Sequence, residues 1–177
     1  SKGRGTATSK TRLTYMRELV AELISGEKQE SFSNEYIERG TATEPQARAM
    51  YEFDTGNAVT EIAFCKLDNL KIGCSPDGLV GDDGGLEIKC PKTTSHIETV
   101  LSEEMPSIHK AQVQGSMWVT GRKWWDFVSF DPRVDGDTSF FCKRVYRDDE
   151  FISDLEQACM QFSSELETMV EMLKNKD

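Results

Sequence analysis

The chain has 177 residues, with 21 Lys or Arg against 31 Asp or Glu and a formal net charge of −10. That length fits one domain with a real core, and 37% hydrophobic residues, including nine Phe, exclude a disordered chain. No apolar run approaches the ~18 residues of a membrane span, and the acidity argues against a passive nucleic-acid coat while leaving room for an enzyme that holds cations among carboxylates.

The charge is unevenly placed. Residues 1–17 carry Lys2, Arg4, Lys10, Arg12 and Arg17 with no acid, whereas residues 148–177 carry nine acids and only Lys174 and Lys176 as bases. A basic arm on an acidic body suggests contact with an anion at one end. From Thr11 to Ile24 the apolar residues Leu13, Met16, Leu19, Val20, Leu23 and Ile24 form a helical stripe, and Gly26 stands beyond it as a stop. A second helix is expected from about Ser33 to Phe53, interrupted or bent near Gly40, with Ala47, Met50 and Phe53 facing the core. Asp54-Thr55-Gly56-Asn57 reads as a turn.

Val59–Leu67, Leu70–Cys74 and Gly85–Cys90 read as three strands, turned by Asp68-Asn69 and by the Gly- and Asp-rich stretch from Pro76 to Gly85. Thr94 or Ser95 would cap a short helix through Leu101, and Pro106-Ser107 opens another that ends at Gly121. Trp124–Phe130 and Ser139–Tyr146 look like strands. Phe151, Leu155, Ala158, Phe162, Leu166, Met169 and Met172 then mark a long amphipathic helix. Together these elements describe a single mixed α/β domain over residues 1–177.

Five cysteines (Cys65, Cys74, Cys90, Cys142 and Cys159) form no C-x-x-C pair, which argues for reduced thiols over a disulfide framework, zinc ribbon or iron–sulfur site. No signal-peptide pattern opens the chain, so a cytoplasmic location is expected. The chain starts on Ser1 without Met, so residues ahead of it are expected to be missing.

The chemistry concentrates in Cys74-Ser75-Pro76-Asp77-Gly78 and Leu86-Glu87-Ile88-Lys89-Cys90. Period-2 geometry puts Glu87 and Lys89 on one face of a strand with Ile88 on the other, and a hairpin would bring Asp77 alongside Glu87. Two close carboxylates repel unless a cation lies between them, which is how a Mg²⁺ site is built. Lys89 beside it would orient or help deprotonate a water, or stabilise charge developing on a phosphate. The same residues also suit a common turn triplet and a solvated strand face, and so loose a pattern arises by chance in roughly one chain in twenty.

Neighbouring residues therefore decide. Glu44 lies in a helical segment beside Ala47 and Met50, where an acid is costly unless paired or metal-bound, although a glutamate is more often at the surface. Gln112 and Gln114 sit among apolar residues, and a glutamine amide can hydrogen-bond a phosphate or a water as readily as solvent. His96 and His109 lack ligand spacing and read as local hydrogen-bonders. Of Trp124 and Trp125, adjacent on a strand, one would be core and the other an interface residue able to stack on a base.

Gly73-Cys74-Ser75-Pro76-Asp77-Gly78-Leu79, Gly85-Leu86-Glu87-Ile88-Lys89-Cys90-Pro91 and Ala111-Gln112-Val113-Gln114-x-Ser116-Met117-Trp118-Val119-Thr120 closely resemble the bacteriophage lambda exonuclease, or YqaJ-like viral recombinase, family. Glu44-x-x-Ala47-Arg48, Glu52-Phe53-x-Thr55-Gly56 and Phe130-Asp131-Pro132-Arg133 fit the same pattern in order, so the resemblance spans about residues 10–147. It implies a mixed central β-sheet flanked by helices with a PD-(D/E)xK restriction-endonuclease-like core, and Mg²⁺-dependent 5′→3′ digestion of linear double-stranded DNA, with Mn²⁺ able to substitute. A 3′ single strand would be left for a phage-type annealing protein, inside a bacterial host. By position, Asp77, Glu87 and the Ile88 carbonyl would hold the metal with Glu44 in or just outside its shell. Lys89 would be the catalytic lysine, and Gln112 would contact the scissile phosphate or the attacking water. Ser75, Lys92 and Arg12 would touch DNA or its phosphates, and a ring-shaped homotrimer is implied.

One departure stands out: the family's upstream Arg and Thr/Ser segment for the 5′ phosphate is not in this sequence. Two other readings stay open, a PD-(D/E)xK endonuclease and a non-catalytic DNA-binding module. The second is weakened because Asp77, Glu87 and Lys89 are all present.

Overall fold

The computed structural model describes residues 10–26, 35–67 and 72–175, which fall into two compact units. The Asp68-Asn69 turn, the first residues of the second helix and most of the basic arm lie outside the described residues.

One unit contains residues 10–26 and 157–175. Helix α1 (Lys10–Ser25) buries Met16 and Val20 of its stripe, while Leu23 and Ile24 remain exposed. It stops at Gly26, whose φ of 72° is open to a residue without a Cβ and whose N–H donates to the Glu22 carbonyl. Helix α5 (Asp149–Lys174) opens on Asp149 and Glu150 and closes on Lys174, the charge order that complements its dipole. Its residues from Gln157 belong to this unit. There Phe162 stacks on Tyr15 and lies under the Arg12 guanidinium.

The other unit, residues 35–156, carries the sheet. Helix α2 (Glu35–Thr55) runs unbroken through Gly40 and Pro45, so the expected interruption is absent. Burial of Ala47 and Tyr51 outweighs the weak helix preference of a glycine, about 1 kcal/mol. The core face of α2 is also not the expected one. Ala47 is buried, but Met50 is exposed and Phe53 is 87% exposed, because the helix turns Tyr51, four residues on from Ala47, toward the sheet.

Val59–Leu67 is not one strand. It supplies β1 (Val59–Thr60) and β2 (Cys65–Lys66), which join different sheets. Strand β2 pairs with β3 (Gly73–Cys74), and β1 edges a five-stranded sheet in the order β1-β4-β5-β6-β7. Here β4 is Gly78–Val80, β5 Gly84–Lys89, β6 Trp124–Phe130 and β7 Phe140–Tyr146. All pairings are antiparallel except β5 with β6. A parallel pair needs a long crossover. It contains α3 (Thr93–Ser102), a 3-10 turn at Ser107–His109 and α4 (Lys110–Thr120). Helix α4 ends at Gly121 as expected, with φ of 70°. Neither Thr94 nor Ser95 caps α3; Lys92 takes that place without a side-chain capping bond, and Thr93 donates to Asp131 instead.

The central strand is packed on both faces. Leu86 and Ile88 meet Ala47 and Tyr51 of α2 together with Val80, Val128 and Phe130. On the opposite face Trp125 packs with Val113 and Met117 of α4. Gly84 and Gly85 make room for the indoles, since a Cβ on either would stand about 2.1–2.2 Å from a ring atom of Trp124 or Trp125. Trp125 is thus core, and Trp124 is half-buried with its ring 3.6 Å from the Arg144 guanidinium carbon rather than free to stack on a base. His96 is a satisfied core histidine between Ser129 and the Thr138 carbonyl. The five cysteines are thiols, not disulfides. Among the described residues no helix is long and apolar enough to cross a membrane.

Candidate active site

The β4–β5 hairpin builds the site. Its register pairs Gly78 with Leu86, which puts Asp77, one residue before β4, across from Glu87. Asp77 Oδ2 accepts the Ile88 N–H at 2.6 Å, fixing the carboxylate against β5. Glu87 is only 1% exposed, although it sits on the face covered by α4 and its neighbours there are apolar. Both of its close donors go to one oxygen: Lys89 Nζ at 2.5 Å and Gln112 Nε2 at 2.6 Å reach Oε1. Oε2 is buried with no hydrogen-bond partner. Helix α2 adds Glu44, whose carboxylate accepts from Arg48 at 2.5 Å.

The electrostatics follow from this crowding. Burial, then the negative charge of Asp77, pushes the Glu87 carboxyl up to about 7 against the pull of Lys89 and Gln112. Asp77 is raised as well, first by burial and then by Glu44, with the Ile88 N–H, Lys89 and Arg48 opposing. His109 is lowered, by burial first and then by Lys89. It stacks on Phe127, ring centroids 5.2 Å apart, in the wall of a cavity of about 530 Å³ that Lys89 also lines.

A buried carboxylate oxygen without a donor is open to a water or a cation. Among the described residues no three His, Cys, Asp or Glu side chains form a ready metal cage. Two carboxylates and a main-chain carbonyl are nevertheless a usual protein contribution to Mg²⁺, which keeps several waters or takes phosphate oxygens. Asp77, Glu87 and the Ile88 carbonyl therefore fit a hard divalent ion, and Glu44 stands near enough to act on the charge of Asp77.

The expected residues are only partly brought together. Asp77, Glu87, Lys89, Gln112 and Glu44 belong to one cluster. Ser75 is exposed on the segment leading to Asp77, and Lys92 is exposed at the start of α3. Arg12 lies in the other unit, where its guanidinium donates to Glu165 at 2.6 Å. Sequence reasoning gave Arg48 no role, although its spacing of four from Glu44 on a helix put the two side chains on one face.

A hairpin presenting Asp77 and Glu87, a lysine two residues further along the same strand and a mixed sheet between helices define a nuclease with a PD-(D/E)xK core. The YqaJ-like viral recombinase domain matches residues 3–123, and the chain belongs to that family. Among solved structures it is similar to the alkaline exonuclease LHK-Exo from Laribacter hongkongensis, at 41% identity and TM-score 0.91 over 97% of this chain and 87% of that one. The complex of LHK-Exo with dAMP matches at 42% identity and TM-score 0.91, over 96% of this chain and 87% of that one. A phage-related exonuclease from Haemophilus somnus 129PT, 16% identical, shares the fold at TM-score 0.75 over 98% of this chain and 91% of that one. No curated protein matches the chain.

Proposed function

We propose that this protein is a Mg²⁺-dependent 5′→3′ exonuclease that degrades linear double-stranded DNA and leaves a 3′ single strand for phage-type recombination. One observation carries the reading: Glu87, buried beside Asp77, spends both donors on Oε1 and leaves Oε2 without a partner. The similar LHK-Exo binds dAMP, a deoxynucleoside monophosphate of the kind that stepwise DNA digestion releases. Mn²⁺ is expected to replace Mg²⁺, since both accept oxygen ligands.

The residues divide the work. Asp77, Glu87 and the Ile88 carbonyl hold the divalent ion, which supplies Lewis-acid polarisation of the scissile phosphate. Lys89, held by its bond to Glu87, presents its ammonium to charge building on the phosphate or to the attacking water. Gln112 donates one N–H to Glu87, so its amide is fixed at the rim and its carbonyl oxygen can orient that water. Ser75 and Lys92 offer phosphate contacts around this centre. A homotrimer enclosing the duplex, a single-strand annealing protein as partner and a bacterial cytoplasm as location complete the proposal.

The test is a time course on 5′-phosphorylated linear duplex, its 5′-hydroxyl counterpart and a closed circle, each with and without Mg²⁺. Linear duplex should disappear only with metal, while the circle survives. Cutting of the circle would replace the exonuclease reading with an endonuclease one, and equal rates on both linear ends would remove dependence on a 5′ phosphate.

A further inference from the structure

Asp77 is acted on by two cations. One is Lys89, and the other is Arg48, which no role above requires. The Arg48 fork draws three chain segments together. Its Nη2 donates to Glu44 Oε1 on α2 at 2.5 Å and to the main-chain carbonyl of Asp77 at 3.3 Å. Its Nη1 lies 3.3 Å from Glu61 Oε2, beyond β1. The side chain is only 14% exposed, and its Nε is buried with no hydrogen-bond partner. Leaving that donor unmet is costly, so the position is held by what the rest of the fork bonds.

We infer that Arg48 is a positioning residue for the divalent ion: it holds the Glu44 carboxylate beside Asp77 and thereby raises ion affinity. The inference rests on the metal-dependent reading above. Glu44 and Asp77 are like charges, and the Arg48 fork bonds both the Glu44 carboxylate and the main chain at Asp77. A side chain with a third of its surface in water would relieve that repulsion by turning outward, and the bond to Arg48 opposes the turn. Lysine could keep the charge but not the fork, because a single ammonium lacks the planar pair of Nη donors.

The sign of the effect separates positioning from bare charge. As a bare cation Arg48 repels an incoming ion, so its removal would tighten binding. As a positioning residue its removal loosens binding, by the ten- to hundredfold typical of groups that orient metal ligands. Mn²⁺ titration by calorimetry without DNA, on the wild type, Arg48→Gln, Arg48→Lys, Glu44→Gln and the Arg48→Gln/Glu44→Gln double variant, reads this directly, with thermal unfolding as a check on folding.

Arg48→Gln should weaken Mn²⁺ binding about tenfold or more and Arg48→Lys by less. In the Glu44→Gln background the further loss should be under about threefold, because Arg48 acts through Glu44. With linear duplex, the half-saturating Mn²⁺ concentration should rise in step, while kcat at saturating metal and KM for DNA stay within about threefold. Unchanged or tighter Mn²⁺ binding by Arg48→Gln, or an equal loss in the Glu44→Gln background, overturns the inference. Should Arg48→Gln not fold, wild-type affinity in Arg48→Lys overturns it equally. A wild type that binds no Mn²⁺ overturns the metal-dependent reading itself, an outcome distinct from a wild type that binds and variants that match it.

Discussion

Glu87 and Asp126 are buried carboxylates on adjacent strands of one sheet, one register position apart, and they face opposite helices. Asp126 is fully served. Tyr51 donates its hydroxyl at 2.7 Å, and Arg144 closes a two-bond fork at 2.8 and 2.9 Å while lying over Trp124. Glu87 has donors on one oxygen, a like charge opposite and a second oxygen with no partner. The same functional group is thus a satisfied strut in one place and a carboxylate with an open oxygen a strand away. What differs is whether the fold completes its hydrogen bonds or leaves them for something that arrives later.

Four experiments test that difference. A large effect on turnover is expected from Lys89→Ala, which should lower kcat by about 10²–10³-fold or more while Mn²⁺ binding changes little. A variant that cleaves at near wild-type rate would remove Lys89 from the mechanism. Next comes the crossed pair Glu87→Gln and Asp126→Asn. Glu87→Gln should abolish cleavage yet leave thermal stability equal or higher, because a desolvated, repelled carboxylate is gone. Asp126→Asn should retain the metal site but lose about 2 kcal/mol, or roughly 4–8 °C in Tm. That is below the loss for a fully buried pair because Arg144 is 39% exposed. The contrast fails if both variants lose stability alike.

The pH response should have opposite signs at two further sites. Glu87 titrates near 7 in the fold against about 4.3 in an unfolded chain, so its contribution is full below about 4.3 and lost as pH rises to about 7. Asp131 is held well below the usual carboxylate range, chiefly by its bond from Arg133 with help from Thr93. Its contribution is therefore present above about 3.9 and lost as pH falls. Urea unfolding of the metal-free protein at stepped pH should show Glu87→Gln flattening the fall between pH 4.5 and 7, and Asp131→Asn flattening the acid limb. The smallest effects distinguish neighbours on α2. Tyr51→Phe should cost about 1 kcal/mol by taking a bond from Asp126, whereas Phe53→Ser should stay within about 0.5 kcal/mol. Equal losses would mean that exposed Phe53 is covered by a partner in solution.

Much of the cluster was legible because it depends on local geometry. Strand alternation alone puts Glu87 and Lys89 on one face, and a tight Gly-rich turn returns Asp77 to Glu87. The Trp124–Phe130 strand, the Gly121 stop and the long C-terminal helix were legible for the same reason. The errors fell where spacing admits two answers. Threefold spacing suggested Ala47, Met50 and Phe53 as a face, but the sheet selects Ala47 and Tyr51, which pack on Leu86 and Ile88 while the Tyr51 hydroxyl reaches buried Asp126. Val59–Leu67 read as one strand, and partner strands divided it between two sheets.

Residue order dictated a mixed α/β chain, a carboxylate pair with a lysine two residues beyond one of them, and a helix bearing Gln112, since each follows from periods of two or 3.6 residues and from turn chemistry. It also located the acidic excess that a total of −10 only summarises, part of it in the cluster and more on the last helix. Which carboxylates are satisfied depends on contacts made across the fold. Tyr51 lies 75 residues from Asp126, Gln112 lies 25 from Glu87 and Arg48 lies 29 from Asp77. Whether a buried charge is a strut or a site depends on donors brought from such distances, and no local period carries that information.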